Sequence, residues 1–166
     1  MEEAIISGVE LARLSHIIYD FVDSFYEYED VRKDYGLNEM FTMTEVHMLD
    51  YLDHNPGITA TELAQGYRRS KSLISKLVNM FEKNDYLIRV TDPDDAKKKR
   101  LFLTVKGKRL CEAHTRFDEV NRLATYKALL QQCTREEINA FYKVMEVYTK
   151  YTHTDQFRQG VIPDER

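Results

Sequence analysis

The sequence has few of the residues that build several common kinds of functional site. Its two cysteines, Cys111 and Cys133, are far apart and lack the spacing of zinc ligands, so neither a disulfide framework nor a zinc module is expected. The 166 residues include six glycines, and they form no glycine-rich phosphate loop or nucleophile elbow. A metal-hydrolase helix motif is missing too. The sequence therefore indicates neither an enzyme nor a cofactor.

Long apolar runs are also missing from the sequence. No segment approaches the ~20 consecutive apolar residues that a membrane-spanning helix needs. The first residues show no basic-then-apolar signal pattern. We therefore expect a cytoplasmic protein without a membrane partner, long enough for one domain with its own core.

Two successive helices are predicted near the middle of the chain. Thr59 and Glu62 have the spacing of a reciprocal capping box, so the first helix begins near Thr59. Ser70 can cap the second helix, which then runs to about Asn84. Apolar residues recur along it at helical spacing: Leu73, Leu77, Val78 and Phe81.

Two short strands follow these helices. They are YLIRV at residues 86–90 and RLFLTV at residues 100–105, and the charged segment TDPDDAKKK between them predicts a turn. Together they form a β-hairpin beside the second helix. This order of elements is that of a winged helix-turn-helix, so we predict a mainly α-helical fold with a small β-hairpin wing. Double-stranded DNA is the expected partner.

The second helix and the wing carry the candidate DNA contacts. Serine, lysine and asparagine can reach phosphate oxygens or base edges in a major groove, and a basic wing can follow the adjacent backbone or minor groove. The residues assigned to base edges or nearby phosphates are Ser72, Ser75, Lys76 and Asn79. Those assigned to the backbone are Arg68, Lys71, Lys97, Lys98, Lys99 and Arg100, and Arg69, Ser70 and Arg89 complete the set.

Charge is segregated along the chain in a way that favours DNA. The net charge of −4 and the pI of 5.8 would argue against nucleic acid if considered alone. Residues 68–100, however, hold ten basic and five acidic residues, whereas residues 1–58 hold three basic and thirteen acidic ones. A basic footprint on one face captures a polyanion. The alternatives are a solvated polar face, or a winged helix whose basic face binds an acidic protein.

The segment from Leu49 to Leu110 resembles the DNA-binding core of the MarR family, the multiple-antibiotic-resistance type of bacterial regulators. The matching motifs are TATELA, SKSLISKLVNMFEKNDYLIR, and DPDD followed by LFLTVKG. The resemblance implies a homodimeric transcriptional regulator, most often a repressor, that binds pseudo-palindromic promoter DNA. Many similar proteins release their DNA when a small molecule binds.

Three positions depart from the family pattern. At the wing tip the family usually has two arginines after an acidic residue, but here Ala96 and Lys97 follow Asp95. Arginine is favoured in a narrow minor groove, so we expect looser wing readout. The turn between the two helices holds Tyr67-Arg68-Arg69 where the family tends to have a small or apolar pair. The glycine often found after the second helix is Asp85, which tolerates a left-handed backbone.

The flanking helices are the expected dimerisation region. Residues 9–26 are apolar on nearly every turn, more than a solitary surface helix needs. A second long helix can be capped by Thr104, and a third begins at the capping box of Thr134 and Glu137. The alternative is that these helices cover only their own subunit. We divide the chain into an N-terminal dimerisation helix (1–36), a DNA-binding domain (37–104) and C-terminal dimerisation helices (105–166).

Regulation has three candidate sites in the sequence. Four residues could line a crevice for a small aromatic or anionic effector, as the resemblance implies: His16, Tyr19, Tyr26 and Tyr51. An aromatic stripe at helical spacing is more often core than pocket. A metal-responsive regulator is a further alternative, because three potential ligands share one helical face: His47, Asp50 and His54. Three potential ligands on one helix also occur by chance in charged sequences, and Asp50 and His54 suit an exposed helix end, so no metal site is assigned. A thiol switch at either cysteine lacks a basic neighbourhood.

Overall fold

The computed structural model describes residues 7–154, and within that range the chain is mainly α-helical with two small antiparallel sheets. The first half holds α1 (Gly8–Asp30), β1 (Lys33–Asp34), β2 (Met40–Phe41), α2 (Met43–His54), α3 (Ala60–Gly66) and α4 (Lys71–Lys83). The second half holds β3 (Leu87–Thr91), β4 (Lys99–Leu103), α5 (Val105–Leu129) and α6 (Arg135–Thr152). The predicted fold class, a mainly α-helical winged helix-turn-helix, is confirmed.

Helix starts follow the local capping chemistry that the sequence indicated. The capping box of Thr59 and Glu62 opens α3, and that of Thr134 and Glu137 opens α6. The Ser70 hydroxyl accepts from the Leu73 amide at the start of α4. Each of these bonds satisfies an amide that the first helical turn leaves without a partner.

The sequence indicated a helix over residues 47–54 without fixing its start, and it did not indicate the two short strands that precede this helix. The helix α2 begins at a third capping box, formed by Thr42 and Glu45, and β1 pairs with β2 in a two-residue ribbon. The first helix extends beyond the predicted residues 9–26, from Gly8 to Asp30, with Ser7 as its cap. The tail that the sequence placed after Tyr151 lies, from residue 155 onward, outside the described residues.

The core of the first compact unit, Met1–Phe117, holds α4 and the wing together. Phe81 of α4 is fully buried and stacks with Phe41 at 6.0 Å and with Tyr86 at 5.6 Å between ring centroids. Other fully buried residues come from six elements, α2, α3, α4, β3, β4 and α5: Val46, Met48, Leu49, Leu52, Leu63, Ile74, Val78, Leu87, Leu101 and Leu110. The helix α4 and the wing therefore share one apolar core.

The wing is a regular hairpin whose strands are shifted slightly from the predicted ranges. Leu87 pairs with Leu103 and Thr91 with Lys99, so each strand has five residues. Tyr86, which the sequence placed in the first strand, is instead buried ahead of it, and its amide donates to the Phe81 carbonyl. Asp85, between the end of α4 and Tyr86, takes a left-handed φ of 60°, as expected from its short polar side chain.

The first and last helices expose many apolar side chains in the single chain. No residue of α1 is buried, and its exposed apolar residues include Val9, Leu11, Ile17, Tyr19, Phe21, Phe25 and Tyr26. The second compact unit, Asp118–Arg166, contains α6, whose only buried residue is Ile138. Among the helices in residues 7–154, none is both long enough and apolar enough to cross a bilayer.

Candidate nucleic-acid interface

The helix α4 separates a buried apolar side from an exposed polar side. Its buried residues are Ile74, Leu77, Val78 and Phe81, while Leu73 is half-buried. The four residues predicted to reach base edges are all exposed on it: Ser72, Ser75, Lys76 and Asn79. Lys71 and Ser70 are exposed at the beginning of the helix, where a recognition helix meets bases and phosphates. This helix can therefore offer its polar side to a major groove without disturbing the core.

Arg89 of the wing is bonded to the recognition helix. Its guanidinium donates to the Asn79 side-chain oxygen at 2.6 Å and forms an ion pair with Glu82. The side-chain oxygen of Asn79 accepts from Arg89. The NH₂ group of Asn79 is therefore the part of this side chain that can donate to an acceptor on DNA. The sequence assigned Arg89 to DNA itself, and the structure places it where it orients Asn79.

Arg100 connects the wing to the loop before α3. It donates to the Asp92 carboxylate at 2.5 Å and to the Gly57 carbonyl at 2.9 Å. The Asp94 amide and Arg100 hold the pKa of the Asp92 carboxyl below its ordinary value, so this buried carboxylate stays ionised at neutral pH. Asp92 and its role were missed from the sequence, although the DPDD motif is typical of a turn that an aspartate closes.

The three lysines of the wing tip are exposed, in keeping with their predicted role at phosphates. Lys99 donates to the Thr91 hydroxyl at 2.6 Å, and Lys98 lies 3.9 Å from the Asp95 carboxylate. These contacts are local and solvent-exposed, so they cost little to exchange for a phosphate. Lys97 and Lys98 therefore suit phosphate contact better than Arg100 does.

Replacing Lys97 and Arg100 by alanine, one at a time, should weaken DNA binding in two distinguishable ways. We expect Lys97→Ala to reduce the slope of log affinity against log salt concentration by about one, the value for one lost phosphate contact, while leaving the hairpin intact. Arg100→Ala should instead speed amide hydrogen exchange in residues 87–103, because it removes the bonds to Asp92 and Gly57. A slower-exchanging or unchanged hairpin in Arg100→Ala would contradict the bracing role.

The turn before α4 carries the two arginines that depart from the family pattern. Arg68 is exposed and takes a left-handed φ of 55°. Arg69 is half-buried, lies 3.6 Å from the Glu29 carboxylate of α1 and sits 5.8 Å from the Tyr67 ring centroid. Arg68 is thus exposed, as its predicted contact with the DNA backbone requires, whereas Arg69 links the turn to α1.

A small open pocket lies where α1 meets this turn. It has a volume of about 270 Å³ and is lined by Phe21, Val22, Phe25, Tyr26, Glu29 and Arg69. Of the four residues predicted for an effector, Tyr26 lines it and His16, Tyr19 and Tyr51 do not. Tyr51 instead packs against Tyr67 with ring centroids 6.0 Å apart. The sequence assigned Arg69 to DNA and did not single out Glu29, because sequence spacing does not reveal a contact between distant segments of the chain.

The predicted metal and thiol alternatives change in the folded chain. Nδ1 of His54 donates to the Asp50 carbonyl oxygen of its own helix at 2.7 Å, and His54 does not gather with His47 and Asp50. His47 instead packs against His114 of α5, with ring centroids 4.9 Å apart. Burial raises the pKa of the Cys111 thiol, which disfavours the reactive thiolate there, and Cys133 is exposed.

Comparisons with known proteins agree with this geometry. A family model described as the MarR family matches residues 41–99. The chain is 25% identical over 114 residues to the HTH-type transcriptional regulator PchR of Bacillus subtilis, a match that covers 69% of this chain and 67% of that protein.

Two solved structures share the fold. One is Streptococcus pneumoniae FabT in complex with DNA, with a TM-score of 0.65 and 19% identity over 85% of this chain and 96% of that one. The other is the MarR family transcription regulator SP03579, with a TM-score of 0.67 and 23% identity over 85% of this chain and 89% of that one.

Proposed function

We propose that this chain is a transcriptional regulator of the MarR family that acts as a homodimeric repressor, binds pseudo-palindromic promoter DNA and releases it when a small-molecule effector binds. Regulators of this family are not enzymes, and we place its action in the cytoplasm. The observation that carries the proposal is the exposed polar side of α4, in the most basic stretch of the chain. Each subunit would insert the start of α4 in a major groove.

The dimer is supported by the apolar side chains of the terminal helices. A helix with no buried residue, such as α1, gains stability only when another surface covers it. On α6 the exposed apolar residues are Phe141, Tyr142, Val144, Val147, Tyr148 and Tyr151. A second copy of the chain would cover these surfaces and also supply the second recognition helix that a two-fold DNA site requires. This assigns residues 37–104 to DNA and the flanking segments to dimerisation.

An effector is supported by the pocket beside Arg69. Its aromatic lining and one guanidinium fit a small aromatic anion. Such a ligand would compete with Glu29 for Arg69, which immediately precedes the cap of α4. A ligand can shift the equilibrium of DNA binding only if it binds one arrangement of this turn more tightly than the other. In this proposal, the effector and the Glu29 carboxylate exclude one another at Arg69.

The test of the DNA-binding role is replacement of Lys76 by alanine, with Lys83→Ala as the matched control at the other end of α4. We expect Lys76→Ala to weaken binding to a duplex from the region upstream of its own gene by about 1–3 kcal/mol, roughly 5- to 150-fold. Both side chains are exposed, so neither change should alter the circular dichroism spectrum. Fluorescence anisotropy measures the affinity, and titration of concentrated duplex should give two chains per site.

Equal affinities for wild type and Lys76→Ala would remove Lys76 from the interface. An equal loss in Lys83→Ala would mean that the measurement detects only overall charge. A stoichiometry of one chain per duplex would contradict the dimer.

A further inference from the structure

Arg89 of the wing holds two residues of α4 at once. One terminal nitrogen of its guanidinium donates to the Glu82 carboxylate, and the other donates to the Asn79 side-chain oxygen at 2.6 Å. We infer that this arrangement makes Asn79 a specificity-determining residue that reads a guanine in the operator, and not the adenine with which asparagine usually pairs. The inference rests on the proposed DNA-binding function and names the base that one residue of that site recognises.

The chemistry of the two partners fixes the orientation of the Asn79 amide. A guanidinium has N–H donors and no acceptor, so only the oxygen of the amide can face Arg89. The opposite orientation would bring the NH₂ group against the guanidinium and leave donors facing donors. Because oxygen and nitrogen are the two branches of one planar group, the nitrogen is the branch turned away from Arg89. Asn79 therefore offers two N–H donors, while its oxygen is held beside the wing.

The ion pair with Glu82 keeps the guanidinium in place. Asn79 and Glu82 are three residues apart on α4, so their side chains are neighbours on the helix surface. Glu82 and Arg89 are both half-buried, and charge-assisted hydrogen bonds are roughly twice as strong as neutral ones. The planar fork of a guanidinium serves both partners in one fixed geometry, which the compact ammonium of a lysine does not. Arg89 is therefore a positioning residue that acts through Asn79.

Asn79 is placed on the side of α4 that carries the other candidate base contacts. It is exposed, and it follows Ser72, Ser75 and Lys76 at helical spacing. A recognition helix that lies in a major groove presents this whole side to the base edges. The NH₂ group of Asn79 is then the donor that this part of the helix supplies.

The major-groove edges of the four bases decide which one fits two donors. Guanine presents two acceptors, N7 and O6, whereas thymine presents only O4. Adenine presents the acceptor N7 beside the N6 donor, and cytosine presents a donor alone. The usual pair of asparagine with adenine needs an amide oxygen that accepts from N6, and here that oxygen is bonded to Arg89. We therefore expect guanine to bind best and cytosine worst.

The competing explanation is a purely structural bond between the wing and α4, in which Asn79 touches no base. Under both explanations, replacement of Arg89 loosens the contact between the wing and the helix. The two explanations differ in the base preference at one operator position, because a structural bond gives no reason for that preference to change when Asn79 is replaced.

The test measures the affinity of the full-length chain for a panel of duplexes from the region upstream of its own gene, each carrying a different base pair at one position. We expect one position at which wild type prefers guanine over cytosine by about 5- to 150-fold, the value of one bidentate base contact. Asn79→Asp keeps the size of the side chain and an oxygen for Arg89, but it replaces the NH₂ group by an acceptor. The preference at this position should therefore reverse to cytosine, whose N4 group donates.

Arg89→Met is the second variant, and Lys97→Ala is its matched control for the loss of one positive charge from the wing. Arg89→Met removes both bonds to α4 and lets the amide of Asn79 turn, so adenine should gain on guanine at the same position. Lys97→Ala should weaken binding to every duplex alike and leave the base preference as in wild type. Asn79 is exposed, so Asn79→Asp keeps the test decisive if Arg89→Met unfolds.

Two results would overturn the inference. One is that Asn79→Asp keeps the wild-type preference at every position, which would make the bond to Arg89 structural only. The other is a wild-type preference for adenine at the position that responds to Asn79→Asp. In both cases wild type still reads sequence, so the proposed DNA-binding function stands. Equal binding of wild type to all the duplexes would contradict that function, and the inference with it, before any variant is measured.

Discussion

Replacing Phe81 by alanine is expected to lower the free energy of unfolding by about 3–5 kcal/mol. Phe81 is fully buried and stacks on both Phe41 and Tyr86, so its ring joins α4 to β2 and to the residue that leads into the wing. Truncation removes these contacts and leaves a cavity that the surrounding helices fill only in part. We therefore expect DNA binding to fall together with stability.

Chemical denaturation at one fixed protein concentration measures this effect, because the stability of a dimer depends on concentration. Phe81→Leu is the graded control and should cost clearly less, since it keeps most of the apolar volume. A loss below about 1 kcal/mol in Phe81→Ala would show that this ring is not the centre of the shared core.

The second large effect is expected at Gly107, in the first turn of α5. A Cβ built on Gly107 would overlap the backbone carbonyl oxygen of Tyr86 and lie 3.3 Å from Leu103 Cδ2. That carbonyl already accepts from the Thr104 amide at 3.0 Å, so it cannot move without breaking the junction between the wing and α5. We expect Gly107→Ala to destabilise the chain by about 3 kcal/mol or more.

The matched control for Gly107 is the same substitution at Gly8, which also lies in the first turn of a helix. A Cβ at Gly8 would meet no heavy atom within 4 Å, so Gly8→Ala should be neutral or gain up to about 1 kcal/mol. Thermal unfolding of the two variants compares them directly. Similar melting temperatures for both would show that the backbone at Tyr86 yields to the new methyl group.

Local features of the fold could be predicted because their causes are local. The capping hydroxyls of Thr59, Ser70 and Thr134 act on amides three residues away, so sequence spacing reveals them. The left-handed residue after α4 was also predictable, since Asp85 can take that conformation without a glycine. The box of Thr42 and Glu45 was equally visible, and the start of α2 could have been predicted from it.

Contacts between distant parts of the chain could not be predicted in the same way. Arg89 and Arg100 were assigned to DNA on charge alone, but charge does not say whether a guanidinium has an acidic neighbour across a hairpin. The pairing of His47 with His114 depends on how α2 packs against α5, which no spacing within either helix records. For the same reason the sequence grouped His47 with His54, a residue on its own helix.

The most direct test of the central claim is binding of wild-type protein to a duplex from the region upstream of its own gene, compared with a scrambled duplex, at two salt concentrations. We predict tight binding to the first duplex, weaker binding to the second, and a steep loss of affinity for both as salt rises. Equal and salt-fragile binding to both duplexes would contradict a sequence-reading repressor. It would leave only a basic surface and reopen the alternative that this winged helix binds an acidic protein.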